Sequence, residues 1–290
     1  MENNELTMLE RGIVSVAGLD ANDFLQNIIT NNINAVVSNN SRYSAILTPQ
    51  GKFLYDFFVI KSKNGYYLDC ESDLTKEIID FLMKYKLRSK ITIEDLSTKY
   101  KVASISSQTS AKIMEQGLDE ESFIYTDSRL DSLGSRIIST KEKLDEKIKK
   151  LNLKIKKEND YNLKCFEIGV PTKNLKKLQG KLFGIEMNLD NLKGIDFEKG
   201  CYIGQENTSR IKLRNKLRRR ILPAKLLSGK ISEGDIINFG DEEVGKVMID
   251  KPYTFALIKV VDPFLKKFVN SELVCKNGKL KIFKPEWLKI

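Results

Sequence analysis

Cys201 stands between two glycines in the run Lys199-Gly200-Cys201-Tyr202-Ile203-Gly204-Gln205-Glu206. The glycines disfavour a helix and allow close backbone approach. If the segment is extended, Lys199, Cys201, Ile203 and Gln205 share one face. Lys199 and Cys201 are then about 7 Å apart at the backbone. An ammonium at that range favours thiolate over thiol and raises reactivity. The same spacing also suits a small buried cysteine in a tight strand, and spacing alone leaves both readings open. The chain has no histidine. That excludes a Ser-His-Asp triad, a Cys-His dyad and His-ligated metal sites. Proton transfer falls to Asp, Glu, Lys, Tyr or Cys. Lys199 is then the local group able to tune the thiol.

The other cysteines are Cys70, Cys165 and Cys275. No two of the four form a C-x-x-C pair, so neither a zinc ribbon nor a thioredoxin motif is supported, and no metal site is expected. Sparse cysteines in 290 residues suggest free thiols in a reducing compartment. The opening Met1-Glu2-Asn3-Asn4-Glu5 is acidic and is not a signal peptide. No apolar run approaches the roughly 20 residues of a membrane helix. A soluble cytosolic protein without membrane contact is the expectation.

A second chemical feature follows the cysteine. Arg210, Lys212, Arg214, Lys216, Arg218, Arg219 and Arg220 put seven basic residues in eleven, partly alternating with Ile211, Leu213 and Leu217. This suits a hairpin with one wet basic face, able to meet phosphates or ligand carboxylates. No aromatics interleave with it, which weakens a single-stranded nucleic-acid reading. The net charge of +10 agrees with an acidic partner and equally with solvated surface lysines. Eight lysines between 141 and 157 read as a solvated helix face.

These groups need a scaffold, and 290 residues suffice for two or three subdomains. Ile13–Val16 reads as a strand, then Asp20 caps a helix carrying Phe24, Leu25, Ile28 and Ile29. Strands 43–47 and 53–60 form a hairpin across Thr48-Pro49-Gln50-Gly51, and Asn64-Gly65 turns into strand 66–70. Ser72 opens a helix with Leu74, Ile78, Phe81, Leu82 and Tyr85 on one face. Strands 91–93 and 102–105 follow, and 160–168 is a short helix stopped by Gly169 and Pro171. The pattern is α+β, with helices packed on sheets. After Arg220, glycine and proline punctuate short apolar runs at 236–237, 244–249, 255–261 and 273–275. These predict a small antiparallel barrel. The division is 1–220 for the α+β region, holding two interleaved subdomains, and 221–290 for the barrel.

The eight residues Lys199 to Glu206, KGCYIGQE, with Arg210 following, resemble the signature of the YgfZ proteins, kin to the glycine-cleavage T-protein. The resemblance covers nearly the whole chain. Val16 to Leu25 (VAGLDANDFL), Leu47 to Asp56 (LTPQGKFLYD), Asp127 to Arg136 (DSRLDSLGSR), Ile168 to Pro171 (IGVP) and Glu186 fall in family order. There are departures. Cys165, beside Lys164, stands where an arginine is common. Gly184 stands where a proline often precedes the glutamate. The T-protein's paired acids after the glycine turn are reduced to Tyr55-Asp56.

The resemblance implies three subdomains in a ring, ferredoxin-like sheets with packed helices plus the barrel, around a cavity for tetrahydrofolate or a one-carbon derivative. It implies Cys201 as the reactive thiol with Lys199 as its electrostatic neighbour. Glu186 or Asp56 would pair with the pterin nitrogens. Arg210, Arg218 or Arg136 would meet the glutamate tail, with Gln205 and Glu206 as further folate contacts. The implied process is assembly or repair of iron–sulfur clusters, which in bacteria supports tRNA-modifying enzymes. Partners would then be a reduced folate and iron–sulfur assembly or client proteins. Two alternatives stand beside it: an aminomethyltransferase of the T-protein class, which the Tyr55-Asp56 departure disfavours, and a tRNA-binding protein using 210–220, which lacks a recognised RNA-binding motif.

Overall fold

A computed structural model describes residues 4–214, 217–261 and 264–289. The chain divides into two compact units, each assembled from separated stretches. The first holds Met1–Ile46, Tyr55–Tyr161 and Leu192–Ile203, and the second Leu47–Leu54, Asn162–Asn191 and Gly204–Ile290.

The first unit contains two five-stranded sheets. In chain order its elements are β1 (Glu5–Leu9), β2 (Arg11–Ala17), α1 (Ala21–Gln26), β3 (Ser41–Leu47), β4 (Phe53–Ser62), β5 (Gly65–Glu71), α2 (Thr75–Lys86) and β6 (Thr92–Asp95). Then come β7 (Tyr100–Ile105), α3 (Ser107–Glu115), β8 (Phe123–Thr126), β9 (Ser135–Thr140), α4 (Lys141–Lys150) and β10 (Lys154–Lys156). One sheet has the order β3-β4-β5-β2-β6, the other β10-β1-β7-β9-β8. Burial runs almost unbroken along β2 and through Phe57, Phe58, Val59 and Ile60 of β4, so both sheet faces are covered there. In the other sheet Leu6, Ala103, Ile105, Ile124 and Ile137 pack against Ile113 of α3 and Leu144 of α4. Leu144 is the one buried residue of α4, and Lys141, Lys149 and Lys150 are exposed, whereas Lys147 is largely covered and pairs with Asp119. Ser106 and Thr140 cap these two helices through their hydroxyls.

Asp20 sits at the start of α1 but does not cap it. Its carboxylate accepts the Lys90 N–H instead, 2.6 Å away. The helix is also shorter than its apolar stripe suggests, and Ile28 and Ile29 lie buried beyond its end.

In the second unit, α5 (Glu158–Glu167) carries the chain in, and Gly169 at φ +83° ends it as expected. Next are α6 (Gln205–Leu213), β11 (Arg219–Gly229), β12 (Ile236–Phe239), β13 (Glu242–Ile249), β14 (Thr254–Lys259), α7 (Phe264–Phe268), β15 (Glu272–Cys275) and β16 (Gly278–Ile282). The strands close a barrel in the order β11-β14-β13-β12-β15-β16. Closure depends on the length of β11, whose first half pairs with β14 and second half with β16. Leu222, Ile237, Val247, Ile258, Leu273 and Leu280 fill the interior.

The basic hairpin expected over 210–220 is not formed. Arg210 and Lys212 lie on α6, Arg214 closes it, and Arg219 and Arg220 open β11; Lys216 lies outside the described residues. Arg220 is buried. It meets Asp190 through two nitrogens at 2.8 and 2.9 Å and also donates to Ile185 O and Asn188 Oδ1. This fixes the start of the barrel against the 185–190 turn. Arg220→Ala removes the two-pronged partner of Asp190, leaving it the more distant Lys212 at 3.8 Å, and is expected to cost about 3 kcal/mol, read as a lower urea midpoint at unchanged slope.

Candidate functional site

The strand expected from Lys199 to Gln205 is absent: the backbone is irregular until α6 begins at Gln205. Lys199 is only 6% exposed. Its ammonium donates to three backbone carbonyls, Gln26 O at 2.7 Å, Ile29 O at 2.7 Å and Asn31 O at 2.8 Å. Burial pushes this ammonium down to about 8, and Asp196 works in the opposite sense. All three N–H bonds are committed to carbonyls, so Lys199 has none left to donate to a thiolate. Around it, Asn31 Nδ2 donates to Lys193 O at 2.7 Å, and Thr30 Oγ1 donates to Gly194 O at 2.6 Å. Tyr202 is buried, its ring 5.2 Å from the ammonium, while Cys201 between the two is exposed. The other three cysteines are buried. Burial pushes the Cys70 thiol up to about 12 and that of Cys275 to about 11.

The second half of the signature is held by backbone shape. Gly204 has φ +85°, and a Cβ there would lie 2.5 Å from Thr48 O. Gly51, at φ +78°, approaches less closely: a Cβ there would lie 3.2 Å from Gly204 O. Asn207 Nδ2 donates to Gln50 O at 3.1 Å, and Thr208 Oγ1 to Gly204 O at 2.9 Å. The Thr48–Gly51 turn and the start of α6 therefore lock together, and only glycine fits at the contact. Gln205 is half-buried in the first turn of α6, beside exposed Glu206, whose charge suits a helix N-terminus. Arg210 is exposed in the last turn.

The first unit encloses a network of charges. Asp69 accepts from Arg11, from Arg136 Nη1 at 2.7 Å and from Tyr125 OH. Asp127 holds Arg129 through both oxygens, at 3.0 and 2.8 Å. Tyr161 OH accepts from both Arg129 and Arg136. Asp56 accepts from Tyr43 OH at 2.7 Å. Burial alone would raise the Asp69 carboxyl; Arg11 and Arg136 outweigh it and hold the group below the usual carboxylate range. For Asp127 burial acts the same way and Arg129 prevails. Burial, then Asp56, pushes the Tyr43 hydroxyl well above its ordinary range. Arg136 was expected to meet a ligand carboxylate. Its outer nitrogens instead serve Asp69 and Tyr161, and its buried Nε has no partner.

The second unit contains a cavity of about 590 Å³ lined by Phe183, Glu186, Ile211, Leu217, Arg218, Arg219, Lys259 and Val261. It brings together two of the expected residues, Glu186 and Arg218. Glu186 is 5% exposed. Its Oε2 accepts the Phe183 N–H at 2.9 Å, and its Oε1 pairs with Arg219 at 3.1 Å. Lys259 was not singled out by the sequence, and Arg219 only as one of the basic residues of 210–220; the register of β11 against β14 pairs them. Asp69 was missed as well, though an acid between Leu68 and Cys70 in a buried strand is a signal for an internal ion pair. Among the described residues, no three His, Cys, Asp or Glu side chains could hold a metal ion. No helix of those residues is long and apolar enough to cross a membrane.

Residues 8–134 match the GCVT N-terminal domain. The mitochondrial iron–sulfur cluster assembly factor IBA57 homolog of Neurospora crassa is 31% identical over 288 residues, covering 94% of this chain and 62% of the relative. Proteins of the same name from Dictyostelium discoideum and Mycosarcoma maydis are 28% and 33% identical, covering 79% and 73% of this chain and 64% and 55% of their own length. The chain thus spans less than two thirds of these relatives. The crystal structure of glycine cleavage system aminomethyltransferase T from Bartonella henselae matches with a TM-score of 0.75, covering 98% of this chain and 86% of that one at 16% identity. The fold is that of the T-protein, mixed α and β, with a closed barrel at the C-terminal end. The cytosolic expectation is overturned, since these relatives are named as mitochondrial. Free thiols call for reducing surroundings, which are not peculiar to the cytosol.

The depressed Asp69 and Asp127 set a pH dependence. Each binds its proton more weakly in the folded than in the unfolded chain. Their stabilisation is fully present above the unfolded carboxylate pKa near 4 and is lost as pH falls through the lower folded values. Urea midpoints should therefore fall below about pH 4, and Asp69→Asn should flatten that fall. An unchanged acid profile in Asp69→Asn would contradict the assignment.

Proposed function

From the premise that this is a GCVT-domain chain of T-protein fold with IBA57 homologues among its relatives, we propose that it is a YgfZ-type, tetrahydrofolate-binding factor of iron–sulfur cluster assembly or repair. The observation that carries this reading is the exposure of Cys201 beside three buried cysteines. The thiol open to chemistry is the one in the signature. A cluster usually takes four protein ligands, and one cysteine offers one. Cys201 therefore presents or relays a sulfur or iron species to a partner protein, and does not house a cluster. Support of tRNA modification follows indirectly, through client enzymes.

The residues of the second unit's cavity fit a reduced folate. Phe183, Ile211, Leu217 and Val261 give apolar walls for a flat ring. Glu186 Oε2 accepts from the Phe183 N–H and Oε1 faces both Nε and Nη2 of Arg219, so of the carboxylate's about four acceptor sites one on Oε2 remains for an N–H group of a heterocycle. Arg218 and Lys259 supply cations for a carboxylate tail. Tetrahydrofolate, when bound, supplies one-carbon chemistry. Aminomethyl transfer has less support. Tyr55 stands in place of the first acid and packs edge-on against Phe81, while the Asp56 carboxylate is engaged by Tyr43. Direct tRNA binding also has less support, because Arg219 and Arg220 pair with Glu186 and Asp190.

At a hundredfold excess over Kd, tetrahydrofolate should stabilise the protein by about 2.7 kcal/mol, a rise of several degrees in Tm. Glu186→Ala and Arg218→Ala should each reduce the rise. No shift at saturation removes the folate assignment. Cys201→Ala should fold and bind folate as before yet fail to restore iron–sulfur enzyme activity in cells lacking their own family member. Full restoration would make Cys201 a bystander.

A further inference from the structure

Three carbonyl oxygens from one short stretch, those of Gln26, Ile29 and Asn31, converge on a single point 2.7–2.8 Å away. Carbonyl oxygens arranged so replace the hydration shell of a weakly hydrated monovalent cation. Here the point is filled by the Lys199 ammonium. Three donors meet three acceptors, a match that a compact ammonium makes and a planar guanidinium cannot. No carboxylate makes an ion pair with Lys199 among the described contacts; the balancing negative ends are the carbonyl dipoles, the Tyr202 ring face and, through space, Asp196.

The carbonyl stretch is shaped by its own side chains. Gln26 Oε1 accepts the Ile33 N–H at 2.9 Å, and Asn31 Oδ1 accepts the Asn32 N–H at 2.8 Å. Asn31 Nδ2 donates to Tyr43 O at 2.8 Å. None of these bonds involves Lys199, so they hold the stretch independently of the ammonium. We propose that Lys199 is a tethered cation in a carbonyl cage that a potassium or ammonium ion can also fill, and that by filling it Lys199 acts as the positioning residue for Cys201. Lys199 anchors the chain below the surface on one side of the cysteine, and buried Tyr202 anchors it on the other. Gly200 has open space where a Cβ would stand, and Cys201 beside it is exposed. What that presentation means for cluster assembly rests on the function proposed above; the cage does not.

The test is the melting of Lys199→Ala in equal concentrations of LiCl, NaCl, KCl and NH4Cl. In NaCl its Tm should fall by roughly 5–10 °C below wild type, because three buried carbonyls lose their donors. KCl and NH4Cl should recover much of the loss, while wild type melts alike in all four salts. Lys199→Arg should lose stability without recovery. Melting of Lys199→Ala that is indifferent to the cation overturns the cage. The alkylation rate of Cys201 should change severalfold in Lys199→Ala and return toward wild type with potassium; an unchanged rate overturns the positioning role. If the variant does not fold, wild type still decides. A slowly exchanging ammonium resonance, coupled to the carbonyl carbons of residues 26, 29 and 31, supports the cage, and its absence overturns it.

Discussion

A buried ammonium held by three carbonyls organises the signature. The Gln26 carbonyl is one that α1 leaves unsatisfied at its end. Those of Ile29 and Asn31 follow beyond the helix, where Ile29 bridges Ile46 of β3 and its carbonyl, like that of Asn31, is left to Lys199. Lys199 satisfies all three at once, from about 170 residues further along the chain. Leaving them bare in a dry interior would cost about 1–3 kcal/mol for each, which offsets the desolvation of the ammonium. The 26–31 turn and the loop before Cys201 are thus one structure, and the exposed thiol is set on it.

Fixed charge recurs in both units. In the first, Asp69 and Asp127 bind three arginines among Tyr125 and Tyr161. In the second, Asp190 and Glu186 bind Arg220 and Arg219. Buried ion pairs contribute little net stability, because desolvation offsets attraction, but breaking one is severe. Their use here is to fix geometry. Arg136 and Arg11 reach Asp69 from different strands, and Arg220 sets where the barrel begins. Arg11, Arg129, Arg136 and Arg220 are enclosed and committed in this way, whereas Glu186 pairs with a half-exposed Arg219 at the cavity and keeps acceptor capacity for a ligand.

Much of this was legible in the sequence. The alternating strands, the Asn64-Gly65 hairpin and four of the six barrel strands follow from local pattern. The strand β11 did not, because its first residues are arginines whose alternation with apolar neighbours is shared by a hairpin; burial of Arg220 against Asp190 is a long-range fact. The roles of Gly204 and Gly51 were half legible: glycine signals close approach, but only the fold shows that each faces the other. Lys199 was read by spacing as the neighbour of a thiolate. Its partners are carbonyls far away in sequence, and a backbone acceptor carries no side-chain signature. Asp20 erred for a similar reason, since the Lys90 N–H outcompeted the helix end.

The account turns on Cys201 being the one thiol the folded protein offers. The most direct measurement is the rate at which each of the four cysteines of the native wild-type chain reacts with a limiting alkylating reagent, read by mass spectrometry. Cys201 should be modified first, with Cys70, Cys165 and Cys275 protected until denaturant is added. Comparable modification of a second cysteine under native conditions, or protection of Cys201, would contradict it.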